Sequence, residues 1–349
     1  MPTITDVSKK AGVSRSTVSR LIAGKGYVSE SARRAVEAAI ATLGYRPNTL
    51  ARGLRSNRTG IIGSVLVNVA SPFYAQMVGG IQETSRSAGR SVVVASGYAD
   101  RDEEARAILE LIDRSCDGLI LYLENPLRPD VLEILSRSSA VVVTVGGDEC
   151  AAAAARVTID NYTGALAGMR HLLAQGHRHI AYLSGGLMYR DTRERLRGIE
   201  TALAEAGMAM DEILVEHGSF SERFGYDAAM RLVTAHPEIT GIFGGDDDIS
   251  AGALLAIKEA GLRVPDDISL LGFDDNFHAR HLTPALTTIR QPVDEAGRVA
   301  ARLLLALLDG EKPHELAVTI PTELILRGSV GPVRISATQR KARFATTGI

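Results

Sequence analysis

Apolar residues along this chain change their period once, near residue 60, and that change divides it. Up to Gly44 they recur at intervals of three and four: Ile4, Val7 and Ala11, then Val18 with Leu21 or Ile22, then Val36, Ile40 and Leu43. This is the spacing of three amphipathic helices, each with one apolar face. From Ile61 onward the pattern becomes short continuous apolar runs separated by helical stretches. Runs at 61–67, 91–95, 118–123 and 140–145 predict one set of strands, and runs at 180–184, 213–216, 241–244 and 269–273 a second. Continuous rather than alternating runs point to parallel strands covered on both faces. Two groups of four strands therefore predict two doubly wound lobes, with ligands beyond the strand C-termini.

Local chemistry sharpens the first segment. Thr3 is placed to cap the first helix, with Asp6 as its box partner, and Ala11-Gly12-Val13 reads as a tight turn. Ser14 then caps a second helix over 15–22, and a third starts after Ser29 and stops at Gly44. Two helices across a glycine turn, braced by a third, predict a helix-turn-helix whose second helix enters the major groove. Arg15, Ser16, Ser19 and Arg20 point away from its apolar side. Arg20 suits bidentate contact with a guanine edge, and Arg15 and Ser16 suit adjacent bases. Thr5, Ser14, Thr17, Ser19 and Asn48 are read as phosphate contacts. The plainer reading is a small helical hairpin with a basic, solvated face.

After Tyr45-Arg46-Pro47-Asn48 breaks the third helix, residues 49–55 have the length of about two helical turns, too few to persist alone in water. The expectation is a hinge that folds on DNA. Leu54 suits a wedge in the minor groove; spacing alone equally allows it to pack on the body.

Charge supports the division. The 349 residues carry a net charge of only −2, yet residues 1–60 hold 11 Lys/Arg against 3 Asp/Glu, and the remainder 28 against 38. A basic head on an acidic body implies that only the head faces nucleic acid. The first ten residues contain no apolar signal-peptide region and no apolar run reaches membrane length, so a cytoplasmic protein without a membrane partner is expected. Cys116 and Cys150 fit no zinc spacing.

Enzymatic signatures are missing from the sequence: there is no phosphate loop, dinucleotide fingerprint, nucleophile elbow or HExxH. No catalytic residue, cofactor or metal is expected, and the chain is not read as an enzyme. His177-Arg178-His179 is better read as opening a strand than as a metal site, and Asp246-Asp247-Asp248 as a helix N-terminus rich in carboxylates. The charges Arg193, Glu194, Arg195 and Arg197 read equally as a solvated helix face. Residues 71–74, Tyr98, Tyr122, Gly146, Phe220, Asp246 and Asp274 fall beyond the strand ends. Carboxylates for hydroxyls beside aromatic faces suit a sugar-like ligand. Two rival readings are a solute-binding protein of similar body and an enzyme on a Rossmann-like scaffold. The basic head and the missing signal peptide oppose the first, and the missing catalytic motifs oppose the second.

The segments DVSKKAGVSRSTVSR, GYRPNTLARGL, SPFYA, DNYTGA, RERLRG and ISLLGFDDNFHARHLTPALTTIRQP, in that order, resemble the lactose-repressor (LacI/GalR) family of bacterial transcriptional regulators. The resemblance covers about residues 3–330. It implies a small all-α helix-turn-helix domain plus an α/β body of two Rossmann-like, parallel-sheet lobes, of the type I periplasmic-binding-protein class. The implied boundaries are a head at 1–46, a hinge at 47–60, a body at 61–331 and a disordered tail at 332–349. The first lobe takes about 61–159 and 291–320, the second about 160–289 and 321–331, with crossovers near Ile159-Asp160, Arg290-Gln291 and Pro321-Thr322. The resemblance also implies a homodimeric repressor on pseudo-palindromic operator DNA, controlled by a small effector between the lobes. A sugar or sugar derivative is the first expectation for that effector, and a purine-like co-repressor the second. By position, Arg15, Ser16 and Arg20 match base-reading residues, and Ala51 and Leu54 the minor-groove contact and the leucine lever. Phe73, Tyr74, Arg195, Phe220, Asp246 and Asp274 match effector-cleft positions, which Tyr122 joins from its place beyond a strand end. Asp246 departs from the asparagine usual there, and Gly146 from a polar residue. The tail lacks the leucine heptads of a tetramerising coiled coil.

Overall fold

A computed structural model of the chain describes residues 2–23, 26–45, 58–147 and 150–334. The chain divides into two units between Thr59 and Gly60.

The head holds α1 (Ile4–Ala11), α2 (Arg15–Ala23) and α3 (Glu30–Leu43). Thr3 and Asp6 form a reciprocal capping box at the start of α1, and these bonds from Thr3 hold the Asp6 carboxyl below its ordinary range. Gly12 ends α1 at φ +65, a left-handed conformation that glycine adopts without the Cβ penalty of other residues. Ser14 Oγ accepts the N–H of Thr17 at 3.1 Å and caps α2. Val7, Val18 and Val36 are fully buried, with Ala39, where the three helices meet. Residues 46–57 lie outside the described residues, and with them most of the expected hinge, including its Asn48, Ala51 and Leu54.

The body begins at Gly60, whose N–H donates to Asp117 Oδ2 at 2.9 Å. Its first six-stranded sheet contains β1 (Ile61–Leu66), β2 (Ser91–Ser96), β3 (Gly118–Leu121), β4 (Val141–Val145), β5 (Ala155–Ile159) and β11 (Ala317–Ile320). The second contains β6 (Ile180–Gly185), β7 (Leu214–Gly218), β8 (Gly241–Gly244), β9 (Ser269–Asp274), β10 (Thr287–Arg290) and β12 (Glu323–Ile325). Strand order is β11-β5-β4-β3-β1-β2 in one and β12-β10-β9-β8-β6-β7 in the other, the same winding twice. Every pairing is parallel except that of β12 with β10. Helices cover both faces of each sheet. α4 (Pro72–Ser87) and α11 (Val293–Leu308) pack on one side of the first sheet, α5 (Arg101–Asp113) and α6 (Pro129–Arg137) on the other. In the second lobe these layers are α7 (Asn161–Ala174) with α8 (Arg190–Glu205), and α9 (Glu222–Ala235) with α10 (Asp247–Glu259). Among the described residues no helix is long and apolar enough to cross a membrane.

Each sheet has two more strands than the four that the apolar runs predict. β5, β10, β11 and β12 run only three to five residues and carry Thr, Arg or Glu. They lie toward the sheet margins, and their polar residues and short length leave no continuous apolar run to read. They also carry the chain between lobes. It leaves the first sheet at Ile159, with Asp160 capping α7, and returns after Arg290 to start α11. A third passage joins Ile320 of β11 to Glu323 of β12. The passages are tied together: Asp160 N–H donates to Ile320 O at 2.9 Å, and Thr322 Oγ1 to Asp160 O at 3.0 Å. Ordered chain continues past 331, where the tail is expected to start, since Val333 N–H donates to Gln175 O at 3.1 Å and Arg334 pairs with Asp266. Residues 335–349 lie outside the described residues.

Candidate DNA-reading helix and interlobe cleft

On α2 the burial of Val18 fixes which side faces out. Ser14, Arg15, Ser16 and Arg20 are exposed, while Thr17 and Ser19, like Thr5 on α1, are half-buried. The helix carries no acidic residue, so neither arginine is neutralised along its own helix. Ser14 Oγ lies 2.7 Å from Ser16 Oγ and 2.9 Å from Thr17 Oγ1, gathering three hydroxyls at the N-terminus of α2. Such an N-terminus favours phosphate oxygens, and arginines on an open face suit base edges.

The cleft lies between the lobes at the C-terminal ends of both sheets and encloses about 320 Å³. All seven expected residues line it: Phe73, Tyr74 and Tyr122 from the first lobe, Arg195, Phe220, Asp246 and Asp274 from the second. The three first-lobe rings meet edge to face, with Tyr74 centred 5.0 Å from Phe73 and 5.1 Å from Tyr122. Phe220, 36% exposed, faces them beside Tyr189 at 5.6 Å. Burial pushes the Tyr74 and Tyr122 hydroxyls well above the ordinary range, so both remain neutral donors.

Arg195 is buried in the wall. Its Nε donates to Asn161 Oδ1 at 2.7 Å, its Nη1 to the Gly245 carbonyl, and its Nη2 lies 3.9 Å from Asp274. The guanidinium carbon sits 4.0 Å from the Phe273 ring centre. Burial pulls its ionisation down, but Asp274 and the neighbouring carboxylates outweigh that and hold it above the ordinary value. The solvated-face alternative thus does not describe Arg195, although Arg197 on the same helix is exposed.

Asp274 ends β9 at φ +113, a backbone strain costing on the order of 1–3 kcal/mol. Gln291, at a lobe crossover, holds it from two sides: its backbone N–H donates to Asp274 O and its Nε2 to Oδ1 at 2.5 Å. Burial drives the Asp274 carboxyl up to about 7 against the pull of Arg195. Asp246 caps α10 through the Ile249 N–H at 2.7 Å and is pushed well above the ordinary carboxylate range by burial, then by Asp274. Asp247 turns from the cleft into the sheet, accepting from Thr288 Oγ1 at 2.6 Å and Asn276 N–H at 2.8 Å. The triplet is therefore a helix N-terminus, and His177 is a structural histidine bonded to Thr240 and the Gly331 carbonyl.

Away from the crossovers, two side-chain bonds join the lobes among the described residues. Tyr122 OH donates to Asp191 Oδ2 at 3.0 Å, and Arg190 Nη1 to Gly147 O at 2.8 Å. Gly146 lies behind Tyr122 rather than on the cavity wall, which corrects its placement among the cleft residues. A Cβ there would stand 2.7 Å from Tyr122 Cε2, so the glycine makes room for the ring. Pattern reading missed Glu124, Tyr189, Asp191, Asp248 and Asn276 in the wall. Asp191 stands one helical turn before Arg195, a spacing that marks the same helix face and was available in the sequence.

A helix-turn-helix unit on the chain of a two-lobed parallel-sheet body with a cleft between its lobes defines a class, the DNA-binding regulator with a ligand-binding-type body. Residues 3–48 match the family model of bacterial regulatory proteins, lacI family, and residues 169–330 that of the periplasmic binding protein-like domain. The chain is 33% identical over 340 residues to the HTH-type transcriptional regulator GalR of Escherichia coli K12, covering 97% of this chain and 98% of that protein. It is similar to the Lac repressor dimer bound to operator and the anti-inducer ONPF, with TM-score 0.84 and 28% identity over 95% of this chain and 99% of that one. A complex of the regulator CelR with cellobiose aligns with TM-score 0.70 and 32% identity, covering 94% and 100%. The chain belongs to the LacI family of bacterial transcriptional regulators.

Proposed function

We propose that this chain is a homodimeric repressor that binds a pseudo-palindromic operator and is controlled by a small, sugar-like effector held in the interlobe cleft. The observation that carries the proposal is one chain holding both an open arginine face on α2 and a cleft that joins seven aromatic, carboxylate and arginine side chains. Arg20, Arg15 and Ser16 read base edges in this account, and Thr5, Ser14, Thr17, Ser19 and Asn48 position the head on phosphates. Ala51 contacts the minor groove, and Leu54 wedges between base pairs. Aromatic faces beside hydrogen-bonding carboxylates support a sugar ring over a planar base. An effector changes DNA binding only by the difference in its affinity for two arrangements of the body. The crossovers join the two lobes, and there Gln291 bonds to Asp274 in the cleft wall, which links the ligand site to the connection between lobes.

Selection of binding sites from random duplex DNA by the full-length protein tests this. A dimer presenting two equivalent helices enriches an inverted repeat with fixed half-site spacing. Enrichment of asymmetric or sequence-free sites alone refutes operator binding.

A further inference from the structure

The interlobe cavity is strongly acidic. Glu124, Asp191, Asp246, Asp248 and Asp274 line it, and Arg195 is the single cation among the residues that do. That cation is already engaged in the wall by Asn161, Gly245 and the Phe273 ring. It lies 3.9 Å from Asp274, and no comparable pair reaches Asp246 among the described residues.

Asp246 decides the chemistry. It is only 7% exposed, yet it lies on the cavity wall. One of its oxygens accepts the Ile249 N–H; the other, Oδ2, receives no hydrogen bond from the described residues. A second carboxylate, Asp274, stands close enough to oppose its ionisation further. Arg195 favours the ionised form of Asp246, but burial and Asp274 outweigh it, so that form is costly. A neutral hydroxyl supplies only a dipole against it. An ammonium supplies both the charge and several donors. The aromatic lining is compatible with a cation: Phe220, Tyr189 and Tyr74 line the cavity, and the Phe220 ring already holds the Arg195 guanidinium 5.8 Å from its centre. A metal ion is not the cation implied, since no group of ligating side chains among the described residues is arranged to hold one. Anionic sugars meet five carboxylates and one engaged arginine. Ser71, Ser219 and Asn276 also line the wall, Asn276 bonded to Asp248 and His278, and about 320 Å³ is at the small end of ligand pockets.

We propose that the effector is a cationic polyol of monosaccharide size, an amine-bearing sugar or sugar-like ring, with its ammonium against Asp246 and Asp274. This rests on the reading of the cleft as the effector site.

Calorimetric titration of the full-length protein with matched pairs tests it: glucosamine against glucose, galactosamine against galactose, mannosamine against mannose, and deoxynojirimycin against 1,5-anhydroglucitol. At least one amine is expected to bind about tenfold or more tighter than its neutral twin, with Asp246→Asn removing most of that ratio. Asparagine presents the same capping oxygen to Ile249, so α10 keeps its cap. Asp248→Asn, at a less buried position in the same group, is expected to reduce the ratio in the same direction. Neutral twins binding as tightly as amines, glucose 6-phosphate or galacturonate binding more tightly, or binding by none of the amines overturns the proposal. Should a neutral or anionic sugar bind and Phe220→Ala abolish that binding, the cleft remains the effector site and only its charge preference falls. Binding that neither Phe220→Ala nor Asp246→Asn alters overturns the effector-site reading itself.

Discussion

Tyr122→Phe removes one oxygen and, with it, a bond between the lobes. The Tyr122 ring is 6% exposed and packs against Tyr74 and Phe73, contacts that phenylalanine keeps. What disappears is the 3.0 Å hydrogen bond to Asp191 Oδ2. A bond to a charged acceptor contributes about 1.5–3 kcal/mol. Asp191 is half-buried and regains water when released, which places the loss near the lower end, about 1.5 kcal/mol, or roughly tenfold in the balance between closed and open lobes. The Arg190 bond to Gly147 remains and keeps the closed form accessible. Pulsed electron paramagnetic resonance between spin labels at Ser136 and Thr234, exposed on opposite lobes, reads the distance distribution without ligand. The variant is expected to gain a longer-distance population, while its circular dichroism stays that of the parent. An unchanged distribution refutes the role of this bond as an interlobe tie.

Arg20→Ala is expected to cost about 1–3 kcal/mol of operator binding and to relax preference at one base per half-site, measured by selection and gel shift. Gly146→Ala forces a Cβ against the Tyr122 ring at a position of φ +65, and weaker ligand binding with lowered thermal stability is expected in calorimetry and melting. The Asp274 carboxyl, raised to about 7 by burial, holds a proton in the folded body where an unfolded aspartate, near about 3.9, has lost it. The folded state therefore binds more protons between these values, so this group's stabilisation is present at low pH and is lost as pH rises from about 4 to about 7. Melting curves of ligand-free protein should show Asp274→Asn gaining stability relative to the parent across that window; a constant difference contradicts the shifted ionisation.

Sequence chemistry marks the head well because its signals are local. Thr3, Ser14 and Ser29 each cap the helix that follows, and Gly12 and Gly44 each end one in the left-handed region. The eight apolar runs of the body also become strands. β1, β3, β4, β6, β8 and β9 are buried almost throughout, which leaves little polar sequence to obscure them, while the edge strands β2 and β7 are only partly buried. The four remaining strands escape detection because segments of three to five residues interrupted by Thr, Arg or Glu look like loops. The cleft divides in the same way. Phe73, Tyr122 and Asp274 can be inferred from strand ends, and Arg195 from family resemblance. Tyr189, Asp191 and Asp248 reach the cavity from helix N-termini, which nothing in a strand pattern locates. The pairing of Tyr122 with Asp191 spans 69 residues, and only the folded lobes bring it together.

The central claim is that occupancy of the cleft alters DNA binding by the head. Fluorescence anisotropy of a selected inverted-repeat duplex, titrated with full-length protein with and without a ligand identified by calorimetry, tests it most directly when Asp274→Ala is run beside the parent. The account predicts that ligand moves the parent's midpoint by about tenfold or more, while Asp274→Ala binds the ligand-free duplex nearly as the parent does and does not respond. A variant that responds at the parent's ligand midpoint, or a parent midpoint unmoved by saturating ligand, contradicts it.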